Sequence, residues 1–158
     1  MTEIPGLHRK ETHLFHEKSG EIIKKLKPVV AKPKRSIRHK KEIIYNGHLS
    51  GENFEIFPNI ISPQFIVPII NGRLIEGEDE TLLNLHFTLF SGAKLFVILW
   101  SIILGLASIY CFIVMKNPIY SCVCILLALT NYLIVKGNFD MHSKKSSKQL
   151  IDILKSDK

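Results

Sequence analysis

The sequence predicts an α+β membrane protein, a small antiparallel β meander followed by a two-helix transmembrane hairpin. Three observations carry that class. From Leu95 to Val135 only Lys116 is charged. Thr81 to Leu89 alternates apolar and polar side chains, the period of a half-buried strand. Residues 1–45 are mostly polar and basic, so the 46% apolar content is concentrated rather than spread. The 158 residues divide into a tail at 1–43, a membrane-proximal β region at 44–92, the hairpin at 93–136 and a second tail at 137–158.

In the first tail, residues 7–27 set Leu14, Phe15, Ile22, Ile23 and Leu26 among charges. That is the pattern of a weakly amphipathic interfacial helix, broken near Ser19-Gly20. The first 30 residues hold no apolar run, so no cleavable signal peptide is expected. The densest feature follows. Lys24, Lys25, Lys27, Lys32, Lys34, Arg35, Arg38, Lys40 and Lys41 put nine cations in 18 residues with no acid. Pro28 and Pro33 preclude a continuous helix there. A cation near an anionic leaflet contributes about 1 kcal/mol within a Debye length, so these nine are candidate contacts to a bilayer with anionic headgroups. A solvated linker that reinforces topology is the plainer reading. Nucleic acid is disfavoured, because no aromatic interleaving or recognisable fold accompanies the charge.

In the β region, Leu83, Leu85, Phe87 and Leu89 share one strand face, and Asn84, His86 and Thr88 share the other. Glu76 to Glu80 is a polar turn, better read as solvated than as paired catalytic carboxylates. Phe65 to Ile75 is apolar and β-branched. Its Asn71-Gly72 pair could turn a hairpin, but few strand residues would remain, so a bulge or bend at Gly72 is preferred. Residues 47–50 and 53–57 form a further hairpin around Ser50-Gly51-Glu52. Four short strands rarely make a stable domain alone. The sheet should therefore lean on the bilayer, on the C-terminal tail or on a second copy.

Leu95 to Met115 is 21 residues without a charge, roughly 31 Å as a helix, matching the hydrocarbon core. Ile119 to Val135 is 17 residues, the short end of the spanning range. Between them, Asn117 suits an N-cap and Pro118 the first helical position. Fourteen Lys and Arg precede the first span, one lies in the turn and six follow Val135. The positive-inside rule therefore places both termini in the cytoplasm and the turn outside. Ser101-xxx-Gly105 and Ala107-xxx-Cys111 could pack against Cys124-xxx-Ala128. Asn131 could hydrogen-bond across the pair or to another subunit, or sit near the headgroups. After a polar linker, Lys136 to Lys145, the residues Ser146 to Lys155 read as a short amphipathic helix docking on the sheet or lipid.

Chemistry is sparse. No phosphate loop, nucleophile elbow or zinc-binding helix motif occurs, and no cofactor is implied. His13 and His16 would share a helix face, with His8 near, but no acid or cysteine is placed to complete a metal site. Cys111 and Cys122 would lie at similar depth, where a disulfide is geometrically conceivable. Cys122 and Cys124 point to nearly opposite sides of a helix.

Gly47, Phe54-x-Ile56, Phe65-x-x-Pro68-x-Ile70-x-Gly72, the alternating strand at 81–89 and the two-span hairpin together resemble a family of small bacterial membrane proteins of uncharacterised function, over roughly residues 45–135. The family's Asn-Ser pair is replaced here by Ser62-Pro63-Gln64, and its basic-His strand end by Phe87 to Phe90. The resemblance implies the architecture and a bacterial inner membrane, and no activity. The expected function is therefore non-enzymatic: a membrane-anchored interaction or accessory protein, with a partner protein or a homo-oligomer. An oligomeric channel or small transporter subunit is the alternative, with Ser121, Thr130 and Asn131 lining its path.

Overall fold

The alternation at 81–89 forms an inner strand of a six-stranded sheet. The structure, a computed structural model, describes residues 4, 6–31, 44–59, 67–78 and 80–156. In chain order the strands are β1 (His8–Phe15), β2 (Val30–Ala31), β3 (Tyr45–Ser50), β4 (Asn53–Pro58), β5 (Pro68–Glu76) and β6 (Thr81–Leu89). Their order in the sheet is β1-β6-β5-β4-β3-β2. The five longer strands pair antiparallel, and β2 adds a two-residue parallel edge to β3. The helices are α1 (Ser19–Leu26), α2 (Ser91–Ile113) and α3 (Pro118–Lys155).

Local chemistry accounts for the turns. Gly51, at φ +57°, opens the two-residue link between β3 and β4, where a side chain would be strained. The β5–β6 register runs unbroken from Pro68↔Leu89 to Glu76↔Thr81. Gly72 is therefore neither a bulge nor a bend, contrary to the expectation from Asn71-Gly72. It is flat strand opposite Phe54 and Leu85, and a Cβ there would fall inside the Phe54 ring. The glycine makes room for an aromatic side chain that is only 3% exposed.

Two further expectations are corrected. Residues 8–15, read as the start of an interfacial helix, form β1 and pair with β6 along their whole length. Charged residues on an edge strand are a common protection against further pairing, and they hid this strand behind a polar composition. The helix begins at Ser19, where a break was expected, and buries Ile22 and Leu26 one turn apart. Residues 136–145, read as a polar linker, are helical throughout, so that α3 runs 38 residues from Pro118 to Lys155, about 57 Å. Its buried positions continue Val135, Phe139, Ser143, Ser146, Ser147, Leu150 and Leu154 at helical spacing.

The core lies on one face of the sheet. Ile56, Ile70, Leu74, Leu83 and Phe87 are fully buried there against Ile22, Leu26, Phe139 and Leu150. Thus α1 and the distal half of α3 supply the support that a small sheet requires. The three buried serines in the distal half of α3, Ser143, Ser146 and Ser147, are short enough for the helix to lie close on the strands. One of their carbonyls, Ser146 O, accepts the Tyr45 hydroxyl at 3.2 Å. Burial pushes the Tyr45 phenol well above its ordinary value of 10.0, so the hydroxyl keeps its proton and remains a donor. The base of the α2–α3 pair joins the same core through Ala93, Val97 and Val135.

Candidate interaction surface

The hairpin turn is built as its residues dictate. The Asn117 side chain accepts from Ile119 N–H at 3.1 Å, and Pro118 takes the first helical position. Lys116, at φ +48°, reverses the chain between the helices. Both helices are long and apolar enough to cross a membrane. Cys124 and Ala128 lie half-buried on the face of α3 that continues from Ser121 to Val135, and Ala107 and Cys111 are half-buried on α2. Ser101 and Gly105 are exposed instead, and nothing lies within 4 Å of a Cβ built on Gly105. The small-residue contact is thus displaced along α2, to Ala107 and Ser108. Ser108 and Ser121, which the residue pattern did not single out as a pair, place their hydroxyls 2.8 Å apart inside the hairpin. Cys111 has Cys124 as a neighbour across the hairpin, and all three cysteines are free thiols. The side-chain nitrogen of Asn131 is buried within the protein without a hydrogen-bond partner.

The described members of the basic run sit far from this hairpin. Lys24 and Lys27 are exposed on and just after α1. Lys25 is not free for lipid. Its ammonium donates to Glu17 Oε1 at 2.7 Å and to Leu154 O at 3.0 Å, and so caps the far end of α3. Leu154 is 19 residues beyond Val135 on one unbroken helix, about 28 Å along its axis. Lys32, Lys34, Arg35, Arg38, Lys40 and Lys41 lie outside the described residues.

A second anchoring point lies at the edge strand. Glu11 is turned toward α3 with a side chain only 14% exposed. Its carboxylate accepts from the Ser147 hydroxyl, pairs with Arg9 and lies 3.3 Å from His13 Nε2. Burial by itself would raise this carboxyl. The Ser147 and His13 hydrogen bonds and the Arg9 charge outweigh it, and the net direction is below the ordinary 4.5. His13 and His16, expected on one helix face, are separated by the end of β1, and His16 faces Glu80 at 3.3 Å. Among the described residues, no three His, Cys, Asp or Glu side chains gather as a metal-holding group.

The opposite face of the sheet is polar, and among the described residues no helix packs over it. Cross-strand register aligns His48, Glu55, Asn71, His86 and Lys10 in one row across five strands. The neighbouring row is Ser50, Asn53, Arg73, Asn84 and Thr12, in which Thr12 donates to Asn84 Oδ1 at 2.9 Å. The rows border a depression of about 490 Å³. Such a face offers hydrogen-bonding groups of both signs to a protein surface. Comparison with protein-family models, curated proteins and solved structures gives no match for this chain.

Proposed function

We propose that the protein is a non-enzymatic, membrane-anchored interaction module, whose α2–α3 hairpin spans the bilayer and holds the sheet domain on the cytoplasmic side. One observation carries this reading: α3 is exposed and apolar over its first half and packed into a folded core over its second. Only 11% of the most apolar window of each long helix is buried, whereas the core helix of a water-soluble fold is mostly covered. Leu95, Leu106, Phe112, Ile119 and Leu126 are each more than 60% exposed. An apolar surface of that extent requires lipid or protein around it. The cation asymmetry supports cytoplasmic termini, and a bacterial inner membrane rests on the family resemblance alone. Because α3 is one rigid element, the sheet is held at a fixed attitude to the bilayer, with its polar face turned away from the α1 and α3 side of the core.

The channel alternative has less support. The Ser121 hydroxyl is engaged by Ser108, and the Thr130 hydroxyl donates to the carbonyl of Leu126 in its own helix. Ser121 is thereby turned into the hairpin and away from a shared path, and Thr130 keeps only its acceptor side for one. The test joins labelling of a cysteine at position 116, in a chain without the three native cysteines, to native mass in detergent. Labelling from outside on a monomer or dimer supports the anchored module. Labelling from the cytoplasmic side overturns the topology, and a defined higher oligomer favours the channel.

A further inference from the structure

The flank formed by α1 and the distal half of α3 carries a groove of about 990 Å³. Its apolar lining comes from Pro28, Val29, Ile44 and Ile153, and Lys145 and Lys148 stand on its α3 side. Ile44 and Ile153 are only partly buried, packed against the edge of the core. Asp152 also lines the groove, one turn beyond Lys148, and the surrounding surface is cationic: Lys24, Lys27, Lys144 and Lys155 are exposed on the same two helices or their ends, against Glu21. Lysines three apart on a helix share a face, so Lys145 and Lys148 present two ammonium groups side by side above apolar side chains.

We propose that this groove docks an acidic amphipathic segment of a cytoplasmic partner protein, a site that rests on the anchored reading above and gives it a partner chemistry. Charge complementarity and the apolar lining together select the occupant. Apolar side chains of the segment fill the space over Ile44 and Ile153, and its carboxylates meet Lys145 and Lys148, in the manner of a helix laid in a groove. An anionic bilayer does not fit. Lys145 and Lys148 are 10 and 13 residues beyond Val135 on α3, roughly 15–20 Å along the helix. The Debye length at physiological salt is about 8 Å. Nucleic acid does not fit either, since among the described residues no aromatic side chain lines the groove for a base to stack on.

The test uses the full chain in nanodiscs of neutral phosphatidylcholine. The probes are a panel of synthetic helical peptides with leucine on one face and glutamate on its flanks, a twin panel with lysine in place of glutamate, and a single-stranded oligonucleotide of equal charge. Acidic peptides are expected to bind, more weakly as salt rises. Combined Lys145→Glu and Lys148→Glu should reduce their affinity roughly tenfold, as expected for loss and reversal of two partly exposed ion pairs. Lys10→Glu, on the opposite face of the sheet, should not. Binding of the lysine twins by the reversed variant would complete the case. The proposal is overturned if no acidic peptide binds better than its lysine twin. It is overturned also if Lys10→Glu weakens binding as much, or if the oligonucleotide binds more tightly through the same lysines. A chain that stays monomeric in water without detergent would sink the anchored reading, while the peptide measurement would still report on the groove.

Discussion

Inserting one alanine after Gly137 turns every later residue of α3 by about 100°. The face that carries Phe139, Leu150 and Leu154, none more than 1% exposed, then leaves the core. Exposing a buried side chain of this size costs about 1.5–3 kcal/mol, or roughly 5–9 kcal/mol for the three, against the 5–15 kcal/mol that holds a typical domain together. The sheet should lose most of its stability. Gly137→Ala should act in the opposite direction. A Cβ there meets nothing within 4 Å, and glycine in an exposed helix interior is about 0.8–1 kcal/mol less favourable than alanine. Hydrogen exchange of the β5 and β6 amides in nanodiscs reads both effects. Unchanged protection after the insertion would mean that residues 136–145 absorb the extra residue as a flexible linker, and the rigid-helix account would be wrong.

Other substitutions probe other parts of the fold. Gly72→Ala should cost about 1–3 kcal/mol by forcing the Phe54 ring aside. Phe54→Leu in the same chain should restore part of it, as measured by a double-mutant cycle on urea midpoints. Glu11 has a folded pKa below its ordinary 4.5, so its contribution is present above that value and lost as pH falls through the folded pKa. The native chain should therefore lose stability below pH 4.5 more steeply than Glu11→Gln, and parallel acid-unfolding curves would refute the Ser147 and Arg9 contacts. Asn117→Ala should cost about 0.5–2 kcal/mol by removing the cap at Ile119, seen as faster exchange in the first turn of α3.

The parts legible in the sequence were those whose local pattern matched their environment. The alternation at 81–89, the Ser50-Gly51-Glu52 turn and Asn117-Pro118 each carry their own geometry. The missed parts depend on distant partners. The strand β1 is polar because it is an edge, and only its pairing with β6 distinguishes it from a charged tail. In α3, residues 136–145 include Gly137, Asn138 and, at a core position, Ser143, so that stretch of the helical period is written partly in small polar residues that read as a linker. Gly72 has the local look of a turn, whereas its role is to clear space for Phe54 from the neighbouring strand. The basic run at 24–41 was visible as charge. That Lys25 caps α3 could not be read without knowing that α3 reaches Leu154.

The most direct measurement is a single-cysteine scan along α3, from Ile119 to Leu154, in a chain without the three native cysteines. Spin labels in nanodiscs would report lipid and water accessibility at each position. The expected record is lipid-exposed with a helical period to about Val135, then water-exposed with the same unbroken period, Phe139, Ser143, Leu150 and Leu154 remaining shielded throughout. Loss of the period between positions 136 and 145, or water accessibility across the first half, would contradict a membrane span continuing as one helix into the core of the sheet.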